Sequence, residues 1–216
     1  MSTPPSALQR HAPVLLWIVG TCAFLEAAFT LLGLPLFGLG RLRNTAMIYG
    51  AFWPGLLNGW TPAFKGQHVT MFVTYAFLHG SFLHMLFNML ILLHLGRETV
   101  LRLGQGGFLL LFVLSSIGGA AIYALLAPGD APMLGASGAV FGLFGATMFW
   151  DMQRRRAVGA SLGPVGRLLL GLIVMNVLLY FMVAGMLAWQ AHLGGFVTGF
   201  ALAALITPTL QHRFRG

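Results

Sequence analysis

Residues 137–156 read SGAVFGLFGATMFWDMQRRR, an apolar run from Ser137 to Trp150 closed by Asp151 and the cluster Arg154, Arg155 and Arg156. As a helix the run is roughly 21 Å long, against a bilayer hydrocarbon core of about 30 Å. If the arginines mark one membrane surface, the helix starts inside the membrane, and Ser137 lies roughly 10 Å below the opposite surface. The rest of the chain supports a bilayer setting. Of its 216 residues 58% are apolar and 7% charged, and the mean hydropathy is +0.85. A soluble domain carries about 25% charged residues, so a water-soluble globule, a disordered chain, a coiled coil and a disulfide scaffold are excluded. A polytopic membrane protein remains. The single cysteine, Cys22, rules out internal disulfides and any Cys-based metal cluster. The net charge of +8 is spread between apolar runs, so it reads as topology and not as a nucleic-acid patch.

Working outward from the short run gives six spans. The first is Pro13 to about Leu36, the second about Leu78 to Gly96, and the third about Gly107 to Ala127. The fourth is the run above. Gly166 to Thr207 is about 63 Å as a helix and must hold two spans, turning between Gly185 and Gln190 beside Trp189. Between the first and second spans, Phe37 to Leu78 is too polar and broken for one crossing and too apolar for a free loop, which suits short interfacial helices. The expected organisation is a short cytoplasmic segment at 1–12, a six-helix domain at 13–207 and a short cytoplasmic tail at 208–216. The apolar run after Ala12 reads as retained, without a cleavage site. With both termini cytoplasmic, the inner side holds Arg10, Arg97, Arg102, Arg154, Arg155, Arg156, Arg167, Arg213 and Arg215, and the outer side only Arg41, Arg43 and Lys65. That is the positive-inside bias.

Polar side chains inside spans are expensive and point to function. Most have a structural reading. Ser115 and Ser116 suit bonding to their own helix, Asn176 suits interhelical glue ahead of a site role, His94 an interface, and Glu26 a buried pair or a protonated acid. Three groups fall at one depth instead. His84 and Asn88, spaced i and i+4, share a face in the outer half of the second span. Ser137 opens the fourth, and His192 lies in the outer half of the sixth. Gly138 and Gly142, and Gly195 and Gly199, are small-xxx-small pairs that allow close backbone approach, as a Ser–His hydrogen bond between helices requires. A serine beside a histidine is a nucleophile with its general base. Backbone amides at the start of the fourth helix (Ala136, Ser137), with Asn88 and His84, suit oxyanion stabilisation. No acid is placed to complete a triad, so the reading is a Ser–His dyad with no cofactor and no metal. Gly135-Ala136-Ser137-Gly138-Ala139 departs from the G-x-S-x-G elbow at Ala139. His79 and His84, five apart with no acid nearby, do not make a zinc site.

The motifs together resemble the rhomboid family of intramembrane serine proteases. The resemblance rests on His84-x-x-x-Asn88, Gly135-Ala136-Ser137-Gly138 and Ala191-His192-Leu193-Gly194-Gly195, with Tyr75-Ala76-Phe77-Leu78-His79-Gly80 and Gly96-Arg97-Glu98 around the second span. It covers about residues 14–207. It implies an all-α polytopic membrane protein, a six-transmembrane-helix bundle whose first loop is partly membrane-embedded. It further implies Ser137 as nucleophile, His192 as base, and His84, Asn88 and the Ser137 amide as the oxyanion site. Membrane-protein substrates would be cut in or near a transmembrane segment, entering laterally beside the fifth helix. Two positions depart from the family pattern. Thr70 and Met71 replace an aromatic and an Arg or Gln, which puts the anchoring of the first loop in question. Phe141 replaces a tyrosine, keeping a ring to stack on His192 without its hydroxyl. The compartment expected is a bacterial inner membrane, with the lipid bilayer and transmembrane substrates as partners and no nucleic acid. Two rival readings are an inactive rhomboid-like module that binds membrane helices and a transporter using His84, Asn88 and His192. The intact Ser137 and His192 oppose the first, and the clustering of polar groups in the outer half opposes the second.

Overall fold

The computed structural model describes residues 12–37 and 39–213, with side chains as far as Ile206. Residues 1–11 of the expected N-terminal segment, Arg10 among them, and residues 214–216 of the expected tail, with Arg215, lie outside the described residues. Among those described the secondary structure is helical, apart from a single antiparallel bridge between Phe52 and Met133.

Helix α1 (Pro13–Leu32) starts on a proline, which suits a first turn because its missing N–H has no helical partner there. It ends four residues before the expected Leu36, because Leu34 precedes Pro35 and is biased away from helical backbone. The segment that follows folds as two short helices, α2 (Leu42–Gly50) and α3 (Gln67–Thr74), with single 3₁₀ turns at Pro35–Phe37, Pro54–Leu57 and Tyr75–Phe77. Helix α4 (Phe82–Leu126) is continuous except at Gly104, whose φ of 73° breaks it. His84 near its start and Gly119 near its end both lie beside residues 135–138. Arg102, next to the break, sits over Trp150 at 4.6 Å near the far end of α5. The chain therefore reverses at Gly104, and α4 is two arms, 82–103 and 105–126. The loop expected at 97–106 is mostly helix, because Arg97, Glu98 and Arg102 prolong the first arm past its apolar part instead of ending it.

Helix α5 (Ser137–Ala157) begins where expected and continues beyond Trp150. Asp151 pairs with Arg154 and Arg155, both at 2.6 Å, and the arginines complement the carbonyl end of the helix. After α6 (Gly163–Met182), a turn carrying Ala184 at φ 51° and Gly185 at φ 81° leads to α7 (Trp189–Arg213), which extends six residues past the expected Thr207. Among the described residues the helices number seven against six expected, because the loop contributes two short ones and the second and third spans are joined. The six passes are α1, the two arms of α4, α5, α6 and α7. Stretches long and apolar enough to cross a membrane occur in α1, α4, α6 and α7. Large apolar side chains face outward, among them Trp17, Phe24 and Phe181. This suits lipid, where contact with apolar side chains carries no hydrophobic penalty.

Backbone contact at glycine sets the centre of the bundle. A Cβ at Gly195 would stand 2.7 Å from the Gly138 carbonyl carbon, and one at Gly199 would stand 2.6 Å from the Gly142 Cα. The two small-xxx-small pairs thus face each other across α5 and α7. Gly119 of α4 joins the same layer, with its Cβ position 2.9 Å from the Ala191 carbonyl oxygen. Helix α6 is different: Leu172 is its one buried residue.

Candidate active site

Ser137 is the first residue of α5, and the segment before it is pinned one residue at a time. The Phe52–Met133 bridge holds its outer part, with both N···O distances 2.9 Å. The Gly135 N–H donates to the Tyr75 carbonyl at 3.0 Å. Gly135 has φ 120°, and a Cβ there would lie 2.7 Å from the His84 ring, so only glycine lets the backbone lie on that imidazole. Tyr75 also sends its hydroxyl inward, donating to the Ser116 carbonyl at 2.8 Å.

Across the glycine contact, Ser137 Oγ lies 2.9 Å from His192 Nε2. The His192 ring stacks on Phe141 at 4.1 Å between centroids and 6° between planes, so the departure at 141 keeps its packing role without a hydroxyl. His84 adjoins Gly135 from α4. Asn88, one turn further along the same face, is buried and donates from Nδ2 to the His84 carbonyl at 2.9 Å. That leaves its second amide hydrogen for another acceptor.

Ala136 departs from expectation. Its N–H donates to His79 Nε2 at 3.4 Å, so this amide is engaged and the Ser137 N–H is the backbone donor at the helix start. His79, set aside in the sequence as a poor metal ligand, therefore supports the loop that carries Ser137. It stacks edge-on with His84 at 5.1 Å. Burial, with His84 and Arg43 acting in the same direction, holds its pKa down to about 3, so it stays neutral and keeps an acceptor for Ala136. Asn176 makes an interhelical contact, as its reading as glue expects, and its partner is the His192 ring. Its Oδ1 lies 2.5 Å from His192 Nδ1.

Met71 packs in a buried cluster with Phe52 and Tyr75, and the polar anchoring of the first loop comes from residues other than 70 and 71. Arg43 of α2 reaches Glu26 of α1 with both terminal nitrogens, at 2.9 and 2.8 Å, and donates to the His79 carbonyl at 2.7 Å. Glu26 is 1% exposed, so its pairing takes the first of the two forms expected for it. Gln67 donates to the Ile48 carbonyl at 2.6 Å and accepts from the Ala63 N–H at 2.7 Å. Gln67 carries no sequence signal beyond its residue type, and the Arg43–Glu26 pair none beyond opposite charge.

On the α6 side of His192 lies an apolar cavity of about 620 Å³, walled by Leu169, Ile173, Phe181 and Leu193 among others, with Asn176 as a polar group in its lining.

Fold and site together define a polytopic helical membrane protein with a Ser–His pair sunk between two helices that touch at glycine. The Rhomboid domain matches residues 66–209, and the chain belongs to the rhomboid family. It is 29% identical over 207 residues to YdcA of Bacillus subtilis (strain 168), whose name places it among rhomboid proteases, covering 95% of this chain and 94% of that one. To the rhomboid protease GlpG of Salmonella newport (strain SL254) it is 28% identical over 217 residues, 96% of this chain and 68% of the relative. To the rhomboid protease GluP of Bacillus subtilis (strain 168) it is 31% identical over 129 residues, 60% of this chain and 24% of the relative.

Proposed function

We propose that this chain is an intramembrane serine endopeptidase that cuts membrane proteins in or near a transmembrane segment. The observation that carries the reading is the 2.9 Å approach of Ser137 Oγ to His192 Nε2 between helices of a membrane bundle. In the proposed reaction Ser137 Oγ attacks the scissile carbonyl carbon while His192 Nε2 takes the hydroxyl proton. The carbonyl oxygen becomes an oxyanion that accepts from the Ser137 N–H, Asn88 Nδ2 and His84. A donor already aimed at that oxygen costs no reorganisation as charge develops. Collapse breaks the C–N bond, and His192 returns its proton to the leaving amine. Water, deprotonated by the same imidazole, then attacks the acyl-Ser137 ester, which releases the second product and restores the hydroxyl.

The glycine contact supports this geometry by letting the two backbones approach until they touch. The proposed compartment is a bacterial inner membrane with both termini cytoplasmic. Its support is the arginine distribution, with Arg102 and Arg154 lining one cavity at one end of the bundle and Arg43 beside His79 at the other. The test is reaction of the detergent-solubilised protein with a serine-directed fluorophosphonate. Labelling at Ser137 that disappears in His192→Ala, with loss of cleavage of a transmembrane substrate in both Ser137→Ala and His192→Ala, is the expected result. Turnover retained by clean Ser137→Ala would overturn the reading and favour a helix-binding module whose serine is incidental.

A further inference from the structure

The proposed dyad leaves one hydrogen-bonding question open: which ring nitrogen of His192 carries the proton. Asn176 answers it from a different helix. Its Nδ2 donates to the Leu172 carbonyl at 2.8 Å, and a carbonyl can only accept. The amide orientation is thereby set, and the group facing His192 Nδ1 at 2.5 Å is Oδ1, also an acceptor. Two acceptors do not bond each other, so the proton lies on Nδ1. Nε2 then presents a lone pair to Ser137 Oγ, as a general base requires.

We infer that Asn176 is the positioning residue of His192: it holds the imidazole in its Nδ1–H tautomer and fixes the ring's rotation about the Phe141 stack. This rests on the protease reading of Ser137 and His192. Asn176 takes the place that a carboxylate occupies in a Ser-His-Asp triad, as an asparagine does in some Cys-His proteases. A neutral amide sets tautomer and angle without putting a charge into the apolar cavity between α6 and α7, where an unpaired carboxylate would be costly. Because Asn176 belongs to α6, whose one buried side chain is Leu172, the base is correctly set only while that loosely held helix is seated against α5 and α7.

The test uses the full chain, a transmembrane substrate and the fluorophosphonate. Asn176→Leu keeps the volume and removes the acceptor. It is expected to lower kcat roughly 10- to 100-fold, leave KM within about twofold, and slow labelling of Ser137 in parallel, since only the transition state loses its oriented base. Asn176→Asp restores an acceptor to Nδ1 and is expected to recover kcat to within about tenfold of the parent. In the unmodified protein, the imidazole ¹⁵N resonances of His192, assigned by their loss in His192→Ala, are expected to show the proton on Nδ1. The inference is overturned if Asn176→Leu keeps the parent kcat and labelling rate, or if the spectrum shows an Nε2–H tautomer, which needs no variant to fold. Either result, with Ser137→Ala and His192→Ala still inactive, leaves the protease reading standing. Turnover in Ser137→Ala removes that reading and this one together.

Discussion

Substituting alanine for Gly195 adds one methyl group where α5 and α7 touch, three residues from the proposed base. The added carbon would stand 2.7 Å from the Gly138 carbonyl carbon, 3.2 Å from the Gly138 Cα and closer still to the carbonyl oxygen. Non-bonded carbons rest about 3.5–4.0 Å apart, so the helices must part by roughly 1 Å. Backbone, and not a flexible side chain, is what the methyl meets, so no rotamer relieves it. Ser137 and His192 sit on the same two helices just outward of the contact. Their 2.9 Å hydrogen bond would stretch past the distance at which a proton can be handed over. A misplacement of about 1 Å costs on the order of 100-fold in rate, and overpacking costs about 1–3 kcal/mol of stability. Gly195→Ala is therefore expected to lose about two decades of kcat and to melt several degrees lower, with the fluorophosphonate labelling rate falling alongside. Gly199→Ala, one turn further from the pair, meets Gly142 as closely and should lose as much stability but less rate. Gly20→Ala on α1, where a Cβ meets nothing within 4 Å, is the control and should keep parent activity. Parent-like kcat and melting temperature in Gly195→Ala would refute the argument that glycine contact sets the Ser–His distance.

Asn88→Ala is expected to reduce kcat about 100-fold, the low end for an oxyanion donor, with little change in KM. An unchanged kcat with a lowered melting temperature would make Asn88 helix glue. Arg43→Met strands the carboxylate of Glu26 in the bundle and should cost about 3 kcal/mol, the low end for breaking a buried pair, because Arg43 is itself 25% exposed. Unfolding in graded denaturant should show Arg43→Met recovering when Glu26→Gln is added, and no recovery would mean the pair is incidental. His79 has a folded pKa near 3, below the value of about 6.5 expected on unfolding. The unfolded chain therefore binds the proton first. The stability that neutral His79 contributes is fully present above pH 6.5 and is lost toward pH 3, at up to about 1.4 kcal/mol per pH unit. Melting temperature between pH 7 and 4 should show this slope, and His79→Gln should flatten it; equal slopes in the two proteins would count against the assignment.

The approach of Ser137 to His192 and the glycine contact were legible because membrane thickness turns sequence position into depth. A fourteen-residue run too short for the bilayer placed Ser137 inside it, and the same ruler put His192 and the His84–Asn88 face at that level. Asn176 escaped because a lone amide in a span has the same local signature whether it bonds a backbone carbonyl or orients a base; only the turn at residues 183–188 decides which. The contact of the Ala136 amide with His79 was not legible because its acceptor comes from a loop whose path no periodicity describes. The hairpin in α4 was read as two spans and a loop because charged residues end an apolar run without ending a helix. The anchoring of the first loop was read from two positions, 70 and 71, whereas Gln67 and Arg43 supply its polar part from elsewhere in the same segment.

The Glu26–Arg43 pair also dictates an order of assembly. Glu26 lies about two thirds of the way along α1, and its partner is 17 residues further down the chain, in α2. As the chain inserts, α1 reaches the bilayer ahead of α2, carrying an acid that costs about 2.5–3.5 kcal/mol at a helix centre. The first span is therefore provisional until α2 folds back onto it. When it does, the same guanidinium takes the His79 carbonyl, and His79 in turn holds the Ala136 amide. Completion of the first helix and readiness of the segment that presents Ser137 are one event, joined through a single arginine.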